Sequence, residues 1–284
     1  MLVRMAIRAS VTLPQGTVEY HDSDPGGRPD AVVFVHGLLV DGALWDGVVE
    51  RMPPRHRCIV LELPLGCHAV PLDPGADRTP AGVAALIADV LEALDLDGVT
   101  LVGNDTGGAL CQWVAAHRPE RLARLVLTPC DSYDEFLPAI FRPLQWAARV
   151  PGGLRLGIAP LRIRRLRRLP IAFGRLAKRP IPDALGDRWV NAFLGDRRVR
   201  HDASAFTAAI DTGFTNEVAA GLPAFTKPAL LIWAPENRVF STANCDRLAA
   251  ALPDSRVEHV DDAYAFVPLD QPGRTAELID AFVP

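Results

Sequence analysis

Asp105 stands at the apex of Gly103-Asn104-Asp105-Thr106-Gly107, the spacing of a nucleophile elbow, Gly-x-nucleophile-x-Gly. A carboxylate on such a turn can do two kinds of chemistry. It can attack carbon and form an ester, which an activated water must then hydrolyse. Alternatively, with its charged form disfavoured by an apolar pocket, it can donate and accept a proton. The glycines follow from the turn: the apical residue takes φ > 0, and a side chain at Gly103 or Gly107 would collide with the neighbouring strand or helix. A plain helix N-cap would also use an aspartate here. The flanking pattern favours the elbow, because an apolar strand precedes Asp105 and small residues suited to a helix start follow it.

The elements that must hold Asp105 alternate along the chain. Ile7–Leu13 and Gly16–His21, around Pro14-Gln15-Gly16, alternate apolar and polar residues as an antiparallel hairpin does. Ala31–Val35 is a continuous apolar run, expected of a strand buried on both faces of a parallel sheet, and Cys58–Leu63 is expected to be the next buried strand. A helix is expected from Asp41 to Met52. Another opens at Thr79-Pro80, an N-cap followed by proline at the first helical position, and runs to about Leu94. The elbow strand, a helix from about Thr106 to His117 and a strand Leu122–Thr128 follow. After a long interruption come the strand Ala229–Trp233, a helix Asn244–Leu252, the strand Arg256–Val260 and a closing helix Gly273–Phe282. This alternation predicts an α/β fold with a doubly wound, mostly parallel sheet.

On these residues the chain resembles the α/β-hydrolase superfamily, and within it the aspartate-nucleophile branch of haloalkane dehalogenases and epoxide hydrolases. The resemblance runs from about Ala31 to the end, apart from residues 133–225. There it implies a helical cap over a core formed by residues 1–132 and 226–284. It also implies an oxyanion hole made by the backbone N–H groups of Leu38, after His36-Gly37, and of Thr106.

The family's water-activating histidine is missing. Val260-Asp261-Asp262-Ala263-Tyr264-Ala265-Phe266-Val267-Pro268 aligns without a gap, and Ala265 falls on the histidine position. His259 lies six residues away, inside a strand. The acid position after the seventh strand falls on Asn237, beside Glu236, while Asp131 stands where some dehalogenases carry the acid instead. The tryptophan that clamps halide in dehalogenases is replaced by Thr106, and the only tyrosines, Tyr20, Tyr133 and Tyr264, lie outside the middle of the cap, where epoxide hydrolases need them.

Three readings stand side by side. The favoured one is an enzyme in which Asp105 serves as general acid or base in a non-hydrolytic reaction: isomerisation, elimination, ring opening or cyclisation. The second is an ester or epoxide hydrolase with a displaced base such as His36, His68 or His201. The third is a small-molecule-binding protein that has lost its chemistry. The expected pocket comprises His36, Leu39, Asp131, Trp146, Trp189, Glu236, Asn237, Tyr264, Ala265 and Phe266, around a small, largely apolar metabolite.

The chain has 284 residues, 49% of them hydrophobic, and a net charge of −4. That suffices for a full core and gives no reason to expect nucleic acid. Five cysteines without CxxC spacing imply neither a disulfide framework nor a metal site, and no cofactor is expected. Met1–Ser10 is too short and too charged for a signal peptide, and no apolar run reaches the ~20 residues of a membrane span, so a cytoplasmic monomer or homodimer is expected. From Phe136 to Pro182 there is no acidic residue, whereas Arg162, Arg164, Arg165, Arg167 and Arg168 crowd together. Such a run is expected to be a solvated face paired with acids elsewhere. Docking to a membrane or to an anionic substrate is the alternative.

Overall fold

The computed structural model describes residues 7–284. The reading of Met1–Ser10 therefore lies mostly outside the described residues. Eight strands form one sheet: β1 (Ile7–Leu13), β2 (Gly16–Asp22), β3 (Val32–Val35), β4 (Cys58–Glu62), β5 (Val99–Asp105), β6 (Leu122–Cys130), β7 (Ala229–Trp233) and β8 (Ser255–His259). Their order is β1-β2-β4-β3-β5-β6-β7-β8. The β1–β2 and β2–β4 pairs are antiparallel and every later pair is parallel.

The alternation of apolar strands with helices accounts for the parallel pairs. β3, β4, β5 and β7 are buried at every position, as strands covered by helices on both faces must be. β1 is half exposed because it lies at the sheet edge. Helix α1 (Pro80–Ala93) starts where its sequence says it should: the Thr79 hydroxyl accepts from the Gly82 N–H, and Pro80 occupies the first turn. Helix α2 (Thr106–His117) follows the elbow directly, and helix α3 (Thr242–Ala251) and helix α4 (Pro272–Phe282) cover the last strands. One expected helix is shorter: Asp41–Met52 contains a 3₁₀ turn at Gly42–Trp45 and a single α turn at Asp46–Val49.

Between β6 and β7 there is no strand. Short helical pieces lead from Arg142–Ala148 through Gly153–Ile158, Ala159–Arg162 and Arg164–Arg168 to three longer helices, Asp183–Gly195, Arg197–Ala209 and Thr212–Gly221. Two features tie this segment to the sheet. Asp202 accepts from His68 Nε2 at 3.1 Å, from the Leu72 N–H at 2.9 Å and from Arg78 Nε at 2.6 Å. Asp41 accepts from the Trp189 indole N–H at 2.8 Å and from the Arg188 guanidinium. No helix is long and apolar enough to cross a membrane among the described residues.

Candidate active site

The last residue of β5 takes the strained conformation that the elbow spacing predicts, with φ +55° and ψ −136° at Asp105. Its neighbours are packed to backbone contact. A Cβ at Gly103 would lie 2.7 Å from the Gly108 Cα, and one at Gly107 would overlap the His36 carbonyl oxygen. A Cβ at Gly37 would overlap the Asp105 carboxylate itself. Only hydrogen fits at these positions, so the glycines bring strand β3, the elbow and helix α2 close enough to aim backbone donors at one carboxylate.

Those donors are the N–H groups of Leu38 and Thr106, both of which bond to Asp105. They favour the carboxylate, but burial outweighs them and pushes Asp105 up to about 7. Asp131, at the end of β6, is fully buried beside it. The Thr106 hydroxyl donates to Asp131 Oδ2 at 3.1 Å, and Oδ1 has no partner among the described residues. Burial, and then the neighbouring Asp105 charge, hold Asp131 well above the usual carboxylate range.

No histidine reaches this pair. His36 is fully buried, and its Nε2 accepts from the Leu63 N–H at 2.9 Å. Nδ1 must then carry the proton, which it donates to the Gly37 carbonyl at 2.9 Å. Burial lowers its pKa, so the ring is a neutral brace between β3 and the loop after β4, with no lone pair free to act as base. His68 is equally occupied, accepting from the Gly66 N–H at 3.4 Å and donating to Asp202. His201 is exposed on the helix Arg197–Ala209. Ala265 is fully buried, and its carbonyl accepts from Asn104 Nδ2 at 2.9 Å, which fastens the loop after β8 to the residue preceding Asp105.

A cavity of about 300 Å³ opens over Asp105. Leu38, Leu39 and Asp105 form its floor, and the remaining walls come from residues 137–193, including Leu144, Leu161, Phe173, Trp189 and Phe193. Among the described residues Asp105 is the sole ionisable side chain that lines it, and the walls are otherwise apolar. Trp189 is held in the wall by its indole bond to Asp41, with Phe266 behind it at 6.3 Å.

Several expected pocket residues lie elsewhere. Trp146 is 64% exposed and faces solvent, because on its short helix Pro143, Leu144 and Ala147 take the inward positions. Glu236 is outside the cavity, bound to Lys178 and to the Asp262 N–H. Asn237 closes its own turn, accepting from the Val239 and Phe240 N–H groups. Tyr264 lies under the Arg238 guanidinium, 4.5 Å from it. His36, Asp131 and Ala265 support the floor from behind and do not line it. Conversely, Val190 and Phe193 line the cavity together with Trp189. Their one-face spacing on the helix Asp183–Gly195 was a signal available in the sequence.

This sheet, elbow and buried carboxylate define an α/β-hydrolase. The chain belongs to that family, whose α/β hydrolase fold profile matches residues 30–272. It is similar over 90% of its length to an uncharacterised protein of Mycobacterium tuberculosis, 25% identical, of which the match covers 76%. A cis-3-alkyl-4-alkyloxetan-2-one decarboxylase of Xanthomonas campestris is 27% identical, with 95% of this chain and 93% of that protein covered. In fold it is similar to a haloalkane dehalogenase loop variant from Bradyrhizobium elkanii, with a TM-score of 0.79, 17% identity and coverage of 98% and 97%.

Proposed function

We propose that this protein is an enzyme that converts a small, largely apolar substrate without hydrolysis, using Asp105 as general acid and base. One observation carries the reading: the single ionisable group lining the apolar cavity is a carboxyl poised at about 7, and no histidine stands near enough to activate water. A hydrolase of this fold that forms an ester on aspartate must resolve it with water. Here Ala265 takes the histidine position and the acid Asp131 has nothing to orient. Of the three alternatives for a displaced base, His36 and His68 have their nitrogens engaged, and His201 is exposed on the helix Arg197–Ala209 and does not line the cavity. The helices of residues 133–225 serve as the cap that keeps the cavity dry.

Within the reactions open to such a site, ring opening with elimination is favoured, because relatives of this chain are named as decarboxylases of dialkyl oxetanones. In that reaction protonated Asp105 gives its proton to the ring oxygen as the bond from that oxygen to the alkyl-bearing carbon breaks. The resulting carboxyl group returns the proton to Asp105 as its bond to the neighbouring carbon breaks. The electron pair of that bond forms the alkene, and carbon dioxide leaves. Atoms and protons balance with no water consumed.

The test is a panel of cis-dialkyl oxetanones, haloalkanes, epoxides and esters assayed in water enriched in heavy oxygen. The expected result is conversion of an apolar cyclic substrate to products free of solvent oxygen. Steady turnover of an ester, epoxide or haloalkane with solvent oxygen in the product would restore the hydrolase reading, and tight binding without any turnover would favour the binding-protein reading.

A further inference from the structure

The residues around the cavity mouth have an unusual surface. Trp146, Val150, Leu156, Ile163, Leu169 and Ile171 are 64%, 59%, 73%, 60%, 45% and 55% exposed. Among the described residues the only other large apolar side chain this exposed is Ile7. Monomeric proteins rarely leave such groups clustered in water without a use for them.

Arginines alternate with these side chains along the same short helices. Arg142, Arg149, Arg155, Arg162, Arg165 and Arg168 are all exposed. None has an ion-pair partner among the described residues, whereas Arg164 and Arg167 pair with Asp183 and Asp187. Within the run only Arg164 is a solvated arginine paired with acids, and Arg167 is paired but buried. Their own segment offers the others no acid, since none lies between Glu135 and Asp183. Apolar side chains that penetrate an interface, interleaved with cations that meet anionic headgroups, make up a surface that docks on a membrane.

The cavity opens through this patch. Pro143, Gly157, Pro160, Leu169 and Ile171 line it and are themselves exposed. The short helices thus turn one apolar side to the cavity and a mixed apolar and cationic side outward.

We propose that residues 142–171 dock this protein on the surface of a bilayer containing anionic lipids, with the mouth of the Asp105 cavity against the membrane. A second copy of the chain is a poorer occupant. A two-fold contact through this patch would set arginines against arginines, with no acid in the segment to offset them. A hydrophobic substrate could then pass from the bilayer to Asp105 without crossing water. The docking does not depend on which reaction Asp105 performs.

The test uses the full chain with vesicles of phosphatidylcholine alone and of phosphatidylcholine mixed with phosphatidylglycerol, read by co-sedimentation and tryptophan emission. The expected result is binding to the anionic vesicles, weakened by salt, with a blue shift in emission. Trp45, Trp189 and Trp233 are already buried, and half-buried Trp113 is stacked on His117 of α2, outside residues 142–171, so the shift should disappear in Trp146→Phe while binding persists. The combined Arg162→Gln, Arg165→Gln and Arg168→Gln substitutions should weaken partitioning roughly a hundredfold, at about fivefold per charge. If that variant does not fold, the salt dependence and the Trp146→Phe spectrum decide. No binding, equal binding to both vesicle types, or an unchanged blue shift in Trp146→Phe would each overturn the proposal. So would a dimer abolished by the arginine substitutions in a chain that ignores vesicles.

Discussion

Replacing Asp105 with asparagine should make the protein more stable at alkaline pH and change little at acid pH. Burial holds the Asp105 carboxyl at about 7, against an ordinary value of 3.8. Across that window the folded chain keeps a proton that the unfolded chain has released, so stability falls as pH rises from about 4 to about 7. At about 1.4 kcal/mol per pH unit the loss reaches about 4 kcal/mol and then levels off. Asparagine has the shape of the protonated acid and never ionises, so Asp105→Asn escapes the loss. The gap should be near zero at pH 4, open through pH 5–7, and plateau above. At roughly 2 °C per kcal/mol for a chain of this size, the plateau is about 8 °C in Tm. Asp131 moves in the same direction, since burial and the Asp105 charge both hold it in its protonated form. Removing that charge makes Asp131 easier to ionise in the folded state. Urea or thermal unfolding of both proteins from pH 4 to pH 9 reads the gap directly. A constant offset across the range, or an asparagine variant that is less stable above pH 7, would show that the desolvation argument is wrong.

Four further outcomes follow from the same geometry. Asp105→Asn should abolish turnover and leave ligand affinity within about tenfold, or 1.4 kcal/mol, and wild-type protein incubated with substrate should show neither an adduct nor solvent oxygen in the Asp105 carboxylate by mass spectrometry. Gly107→Ala should yield unfolded or insoluble protein, because its Cβ meets the His36 carbonyl, while Gly75→Ala, with nothing near, should stay within about 0.5 kcal/mol by urea titration. Asp41→Ala leaves the Trp189 indole N–H without its partner and should cost about 2–3 kcal/mol in urea unfolding, with weaker ligand binding as the cavity wall loosens. In an alkyl series, affinity measured by calorimetry should tighten by about 0.8 kcal/mol per methylene until the cavity is full, and a preference for sugars or multiply charged ligands would contradict the apolar lining.

The elbow, the strands and the helix starts were legible in the sequence because each is set by local rules. Gly103 and Gly107 declare a turn that tolerates no side chain. Thr79-Pro80 declares a helix N-terminus, and the unbroken apolar runs of β3 and β7 declare strands covered on both faces. The alternation of these elements also implied a mostly parallel sheet, whose strand order came only with the structure. Residues 133–225 hid their arrangement, because short helices packed over a cavity have no single period and neither side of them is uniformly polar. Only the tertiary structure could turn Trp189 inward, through Asp41 far away in sequence, and leave Trp146 in solvent, since both read as equivalent aromatic residues on helices. The same holds for His36. Its neighbours in sequence say nothing of the Leu63 N–H that occupies its base nitrogen, and that bond exists only because β3 and β4 lie side by side. The sequence by itself determined that a carboxylate stands at the elbow. Its pKa depends on how much water the folded chain leaves around it, which is a property of packing between distant segments, and that was decided by the tertiary structure alone.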